Sequence, residues 1–400
     1  MKKTIKIFLS AITLFTLNIC TISGYYAINL PDSYYVSDGG SLELSTVFSI
    51  DAVSDNNTAS VSRNNVSGVQ KTSLKLFGMF PVKNVDVRTL QQPMLVPGGQ
   101  PFGIKLLMEG VMIVGTGEVK TDNGIKCPAQ ECGLCKGDVI LSANGKPVTT
   151  NDEILEIVSD SEGSSIEIIY THENEQKKTT LKPALSASDG EYKAGMWVRD
   201  SMAGIGTVTF CEASTGRFGG LGHPVCDSDT GEIIPISSGE TAQVTINQVL
   251  KGTAGTPGEL HGTFSSALSN GIIYNNNEYG VFGEMFLIPD DIKPILMGLK
   301  QDVKEGHATI RTTIDETGPH EYDIEIEDID YNGDKTKNMT IRVTDEELIQ
   351  KTGGIVQGMS GSPIIQDGKL IGAVTHVLVN NPEKGFAIFC ENMYESGISG

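Results

Sequence analysis

The distribution of apolar and polar positions divides the chain into stretches of different character. Lys2, Lys3 and Lys6 precede a mainly apolar run from Ile7 to Ile22. A basic flank followed by an apolar run reads as an export signal or a short membrane anchor, assigned here to residues 1–28. A bilayer core needs about 20 apolar residues, and Asn18 and several threonines dilute this run. No second long apolar run follows, so the remainder is expected outside the cytoplasmic membrane. Residues 29–92 are expected to form a tether with some strand. Within them, 30–72 are rich in Ser, Asn, Asp and Gly, as in Ser54-Asp55-Asn56-Asn57-Thr58 and Asn64-Asn65, and show no usable apolar period. Strand character is predicted near Leu42 to Ile50, and Leu74 to Val87 predicts a strand entering a folded unit.

Residues 93–186 form a distinct block. Pro97-Gly98-Gly99-Gln100-Pro101-Phe102-Gly103-Ile104 predicts a loop running into a strand, and Gly110 to Val119 alternates apolar with small residues. From Pro128 to Lys146 the pattern is a short helix, a Gly137-Asp138 turn, an apolar strand and an Asn144-Gly145 turn. Asn-Gly is a tight-turn signal because both residues tolerate positive φ. Asn151 is a plausible N-cap for a helix carrying Ile154, Leu155 and Val158 on one face, and Ile166 to Tyr170 predicts a strand. These residues resemble a PDZ domain. The resemblance puts Phe102, Gly103 and Ile104 at that family's carboxylate-binding loop, where backbone N–H groups hold a peptide terminus and the guest adds as a strand. The plainer reading is a unit that only packs on its neighbour.

From residue 187 to 400 the expectation is β throughout. Gly206 to Phe210, Ala242 to Leu250, Gly280 to Phe286, His307 to Ile314 and Glu321 to Ile326 are apolar runs separated by Gly, Pro, Asn and Asp. Short strands with regular breakers predict a closed barrel or a pair of barrels. Short helices are expected at Asp290 to Lys300 and Asp345 to Lys351. The formal charge of −20 argues against nucleic acid as a partner, because phosphates would be repelled. Seven cysteines do not describe a simple disulfide framework. Cys132-Gly-Leu-Cys135 has redox and zinc spacing, but no second pair accompanies it. Small buried side chains or one loop bridge are expected there, with no metal and no cofactor.

The segment Gly358-Met359-Ser360-Gly361-Ser362-Pro363 carries the chemistry. A serine hydroxyl is a weak nucleophile until a base removes its proton. It must also sit beside N–H groups that stabilise an oxyanion, and Gly358 and Ser360 are the candidates. Pro363-Ile364-Ile365, the Asp367-Gly368 turn and Leu370 to Val374 follow as a hairpin. A nucleophile loop feeding a buried hairpin is the C-terminal barrel arrangement of chymotrypsin-like proteases, whose Gly-Asp-Ser-Gly-Gly-Pro has Met359 and Ser362 as the replacements here. The plain alternative is a glycine-rich turn with incidental serines. Among six histidines, His223 lies in Gly219-Gly220-Leu221-Gly222-His223-Pro224, a loop suited to a general base. His376, ending the strand after the nucleophile hairpin, is its competitor. Acidic candidates for orienting the imidazole are many. Asp345 lies 15 residues before Ser360 and reads equally well as a helix N-cap, while Asp227 and Asp229 are close to His223 in sequence.

An N-terminal anchor, a PDZ unit ahead of the catalytic part, Gly222-His223-Pro224-Val225-Cys226-Asp227-Ser228-Asp229-Thr230-Gly231, and Thr352-Gly353-Gly354-Ile355-Val356-Gln357-Gly358-Met359-Ser360-Gly361-Ser362-Pro363 together resemble the SpoIVB-type sporulation serine peptidases. The resemblance implies a serine endopeptidase with His223, Asp345 and Ser360 as its catalytic residues. It implies self-cleavage near the N-terminus, and cleavage of a membrane-protein regulator that triggers sigma-factor activation between compartments during spore formation. The implied location is the space between forespore and mother-cell membranes. Implied partners are protein substrates, a PDZ ligand peptide from a partner or from the chain itself, and the membrane through the N-terminal segment. The competing reading from another class is a non-catalytic PDZ adaptor that binds peptide termini.

Overall fold

This computed structural model describes residues 2–36, 41–42, 44, 46–54, 69–173, 175–287 and 292–398. The N-terminal helix Lys2–Asn29 contains a stretch, Ile5–Asn29, long and apolar enough to cross a membrane. Four of its polar residues do not interrupt it, because they bond within the helix. The Thr13, Thr16 and Thr21 hydroxyls donate to the carbonyls of Leu9, Ile12 and Leu17 at 2.9, 3.1 and 2.9 Å, and Asn18 Nδ2 donates to Leu14 at 2.9 Å. A side chain bonded to its own helix leaves no unmet polar group for an apolar environment to penalise.

The stretch expected as a tether contains more regular structure than its composition suggests. Ser33–Val36, Ile50–Ser54, Gln70–Leu76 and Phe80–Thr89 form a sheet. Its apolar face, with Tyr34, Leu74, Leu76 and Val85, packs on Tyr26 from the helix. The expected single strand from Leu74 to Val87 is broken at Phe77-Gly78, both at positive φ, into a hairpin. Of the predicted polar run, residues 55–58 and 64–65 lie outside the described residues.

Two closed rings of strands follow. In the first, Pro101–Thr116 pairs with Ile236–Leu250, which pairs with Glu259–Asn277 and then Gly280–Met285. Arg217–Gly220 and Met196–Cys211 complete the return to Pro101–Thr116. In the second, the order is Gly306–Thr312, His320–Ile329, Met339–Val343, Asn381–Phe389, Lys369–Leu378, Pro363–Gln366 and back to Gly306–Thr312. Alternation explains the second ring's core. Ala308 and Ile310, Tyr322, Ile324 and Ile326, and Met339, Ile341 and Val343 face inward at every second position. Closure also removes free sheet edges. The result is a mainly β fold with a barrel domain, as expected from the short strands and breakers.

The PDZ unit grows out of the first ring. The far end of Pro101–Thr116 pairs Val111 with Ile140 and Met112 with Val139, joining it to the strand Val139–Ala143. Asn144 and Gly145, at φ 49° and 74°, make the predicted turn, and Asp367 and Gly368, at 50° and 73°, make the other. The helix Asn151–Asp160 is capped one residue earlier than predicted. Thr150 accepts from the Glu153 N–H while the Glu153 carboxylate accepts from the Thr150 N–H, a reciprocal capping box.

Several expectations are corrected. Phe102, Gly103 and Ile104 are not a carboxylate loop. They lie inside Pro101–Thr116, with Gly103 paired to Ile205 on one side and Ala242 on the other, so no edge is free to receive a peptide. Cys132 and Cys135 form no bridge, since both are free thiols. The helix expected at Asp290 to Lys300 is replaced, over its described part, by the strand Ile295–Met297 and a 3-10 turn at Lys300–Asp302. Pro294 lacks the N–H that a helix would need there.

Ile341, fully buried in the second ring, has no space to relax into. Ile341→Ala should cost about 2–5 kcal/mol. Its thermal unfolding should move down by several degrees, and a midpoint matching the unsubstituted protein would show that this ring does not limit stability.

Candidate active site

The nucleophile loop begins where the helix Glu346–Thr352 stops. Gly353 takes a left-handed φ of 80° and its N–H bonds back to the Ile349 carbonyl at 2.9 Å, which ends the helix. The loop is then tied to the surrounding chain through its backbone. Ile355 N–H donates to Pro382 at 2.7 Å and Gln357 N–H to Gly258 at 2.8 Å. Gly361 N–H donates to Val374 at 2.7 Å, and the Ser362 hydroxyl to Thr312 at 2.9 Å. Met359, where chymotrypsin-like motifs carry an aspartate, is wholly buried as a plug beneath the loop.

Contacts from the first ring fix the same loop. Thr207 N–H donates to the Ser360 carbonyl at 3.0 Å. The Thr207 and Thr209 hydroxyls donate to the carbonyls of Gly358 and Gly361, each at 2.8 Å. Gly361, at φ 95°, must be glycine, since a Cβ there would lie 2.1 Å from the Thr207 carbonyl oxygen and 2.5 Å from the Leu221 nitrogen. With their carbonyls thus occupied, Gly358 and Ser360 keep N–H groups that have no partner among the described residues.

His223 reaches this loop from the first ring. The strand Arg217–Gly220 ends in Leu221 and Gly222, at φ 67° and 71°. These positive angles turn the chain into a cleft of about 280 Å³. His223, Ser360, Gly358, Leu221, Ile104 and Ile205 all line it. The His223 Nδ1 donates to the Pro224 carbonyl at 2.8 Å in the tautomer that this acceptor requires, so Nε2 carries the lone pair. Burial pushes this imidazole below its ordinary value, and the bond to Pro224 opposes the shift without reversing it. A neutral ring is the form that can accept a proton.

His376 packs against His223, with ring centroids 5.0 Å apart and planes at 39°. Burial, then His223 and Lys337, push His376 down to about 4. The ring sits at the rim rather than among the cleft-lining residues. The Ser360 hydroxyl donates to the Thr375 carbonyl at 2.8 Å, not to an imidazole. To deliver its proton to His223, this hydroxyl must first leave Thr375.

The structure brings His223, Gly358 and Ser360 to one cleft, but does not bring Asp345 to His223. Asp345 is the N-cap of Glu346–Thr352. Its carboxylate accepts from the N–H groups of Leu348 at 2.9 Å and Asp323 at 3.5 Å. Asp227 is also committed elsewhere. It is wholly buried and accepts from Asp229 N–H at 2.9 Å, Thr230 N–H at 2.8 Å and Arg199. Burial alone would raise its carboxyl, but these donors outweigh burial and hold it below the usual range. Sequence reading missed Thr207 and Thr209, because a threonine bonded to a carbonyl more than 100 residues away has no local signature, and it missed Thr375, which meets Ser360 through its backbone carbonyl and not its side chain.

A second groove, of about 520 Å³, lies beside the helix Asn151–Asp160. Ile154, Leu155 and Val158 face Val119, Met196 and Trp197 across it. It replaces Phe102, Gly103 and Ile104 as the candidate peptide groove of this unit, and an apolar groove beside a helix suits that mode of capture.

Residues 190–394 match the family model described as SpoIVB peptidase S55, and residues 124–170 match a PDZ domain. Among solved structures, the PDZ domain of an SdrC-like protein from Listeria monocytogenes is 22% identical, covering 22% of this chain and 87% of that chain, with a TM-score of 0.19. The Rv3671c protease in its inactive form is 15% identical, covering 48% of this chain and 81% of that chain, with a TM-score of 0.28. Its active form, from M. tuberculosis, is 14% identical, covering 50% and 74%, with a TM-score of 0.27.

The lowered His223 value gives a pH prediction. Depression of a base's pKa extends its neutral form toward acid. The rate at which a fluorophosphonate modifies the protein should therefore rise with pH through a midpoint below about 6.5, the ordinary histidine value, and be level at neutral pH. A midpoint at or above 7 would show that this imidazole is not the group being deprotonated.

Proposed function

This chain belongs to the SpoIVB peptidase S55 family, and from that premise we propose that it is a serine endopeptidase with Ser360 as nucleophile and His223 as general base. The observation that carries this reading is the shared cleft. One wall, from the first ring, supplies His223, and the other, from the second ring, supplies Ser360. Ser360 rotates from Thr375 toward His223 and attacks the scissile carbonyl as the imidazole takes its proton. The N–H groups of Gly358 and Ser360 receive the developing oxyanion. The imidazolium then returns the proton to the leaving amine, and water repeats the sequence to release the acyl group.

Ser360→Ala should abolish fluorophosphonate labelling and peptide cleavage while its melting temperature is unchanged. His223→Ala should be about as damaging, because members of a catalytic unit act together. Labelling mapped to another serine would leave the non-catalytic PDZ adaptor as the better account of this loop.

The geometry supports Asp345 as a positioning residue acting through the helix that leads into the nucleophile loop. Asparagine caps a helix about as well as aspartate, so Asp345→Asn should retain activity within about tenfold of the unsubstituted enzyme. A loss near the roughly 10⁴-fold known for removing an orienting aspartate would return Asp345 to the triad that the family resemblance implies.

The finer reading follows the family resemblance. The N-terminal helix associates with membrane, and the catalytic part lies outside the cytoplasmic membrane, between forespore and mother cell. There it trims itself within residues 30–72 and cuts a membrane-protein regulator so that a sigma factor becomes active. Exposed polar segments are the preferred sites of nicking, which supports the position of self-cleavage. The groove beside Asn151–Asp160 takes a peptide from a partner or from the chain itself. No nucleic-acid partner and no cofactor enter this reading.

A further inference from the structure

The PDZ unit brings together three donor groups that the proposed peptidase chemistry does not use. Cys135, Asp138 and His172 place a sulfur, a carboxylate oxygen and a ring nitrogen within 4.8 Å of one another. Cys135 Sγ lies 3.5 Å from Asp138 Oδ1 and 3.7 Å from His172 Nδ1, and His172 Nδ1 lies 2.7 Å from Asp138 Oδ1. Cys135 is exposed, whereas Asp138 is wholly buried.

Two alternatives are disfavoured by these distances. A Cys–His–Asp relay needs the two ring nitrogens to face opposite partners. Here the same Nδ1 faces both the sulfur and the carboxylate, so the three groups converge on one point. A redox pair with Cys132 is likewise unsupported. The Cys132 thiol turns toward the Ala129 carbonyl, at 3.1 Å, and packs on the core of the PDZ unit.

We propose that Cys135, Asp138 and His172 bind one zinc ion in the PDZ unit. Zinc takes sulfur at about 2.3 Å and nitrogen or oxygen at about 2.0–2.2 Å in tetrahedral geometry, which places the donors about 3.3–3.6 Å apart. Both sulfur distances already fall close to that range. The nitrogen–oxygen pair, now 2.7 Å apart, opens by roughly 0.6–0.7 Å as the metal replaces the proton between them. The mixed donor set suits zinc better than the hard, all-oxygen cations. A cation also answers the charge of a wholly buried carboxylate. The Cys135 N–H donates to the other oxygen of Asp138 at 2.9 Å, which fixes the carboxylate's orientation as outer contacts do at metal sites.

His172 also lines a cleft of about 440 Å³, together with Lys136, Gly137, Glu173 and Glu232. Glu232 belongs to the hairpin that follows His223, and its Cγ would lie 3.8 Å from a Cβ at Gly137. Gly137 and the segment that leads from the candidate base thus line the same cleft. With three protein donors, a water would complete the tetrahedron.

Cobalt(II) is the probe, added to the full chain in detergent and read by absorbance. One equivalent should give intense tetrahedral d–d bands together with a sulfur-to-cobalt charge-transfer band, and zinc should displace both. Cys135→Ser should remove the charge-transfer band, and His172→Ala should weaken binding at least tenfold. Cys132→Ser should leave both signals as they were. The proposal is overturned by absence of the charge-transfer band in the unsubstituted chain, by its persistence in Cys135→Ser, by undiminished affinity in His172→Ala, or by its loss in Cys132→Ser. Cys135 is exposed and its substitution by serine leaves the fold intact, so an altered spectrum reports on ligation.

Discussion

The hydrogen bonds between Thr207, Thr209 and the nucleophile loop hold the candidate active site together. Thr207 binds the Ser360 carbonyl through its N–H and the Gly358 carbonyl through its hydroxyl, while Thr209 binds Gly361. Three successive contacts across the seam between two closed rings fix where the serine stands. They also occupy the carbonyls on its two sides, so the neighbouring N–H groups are the polar atoms left to meet a substrate. Gly361 makes the close approach possible, because any side chain there would occupy the space of the Thr207 carbonyl. The seam is therefore a packing constraint and a chemical one together.

The strand Met196–Cys211 links this seam to the PDZ unit. Met196 and Trp197 line the groove beside the helix Asn151–Asp160, and Met202 to Ile205 line the cleft holding His223 and Ser360. Thr207 then makes the contact to the nucleophile loop. Arg199, between the two grooves, pairs with Asp227 and Asp229 in the hairpin that follows His223. One continuous strand thus touches the candidate peptide groove, a charged anchor and the candidate nucleophile loop. Hydrogen-bonded neighbours along most of its length make it a stiff element, and displacement at one end has few ways to be absorbed before the other.

The serine rests with its hydroxyl on Thr375 rather than on His223. A neutral hydrogen bond of this kind is worth only about 1 kcal/mol net, so the resting contact is a weak restraint on the hydroxyl. Thr375 is itself held, since its buried hydroxyl lies 2.9 Å from the Thr336 carbonyl and 3.2 Å from that of Phe386, with its one proton to donate between them. The resting state is therefore well defined.

By itself, the amino-acid sequence determined what depends on neighbouring residues. The tight turns at Asn144-Gly145 and Asp367-Gly368, the short strands and breakers of the barrel domain, the apolar N-terminal segment, and the glycines around Ser360 and His223 were all legible. Each is a local preference of backbone or side chain. Tertiary structure decided what depends on distant pairing. It moved Phe102, Gly103 and Ile104 from an expected loop into a barrel strand, because partners at Ile205 and Ala242 lie about 100 and 140 residues away. It built a sheet from a stretch whose composition reads as a tether, by supplying Tyr26 as a packing partner. It gave Asp345 to a helix end, and it carried His172 to Cys135 and Asp138. Polar side chains advertise what they can bond to but not what will be within reach. That is set by chain closure over long separations, which no window of the sequence contains.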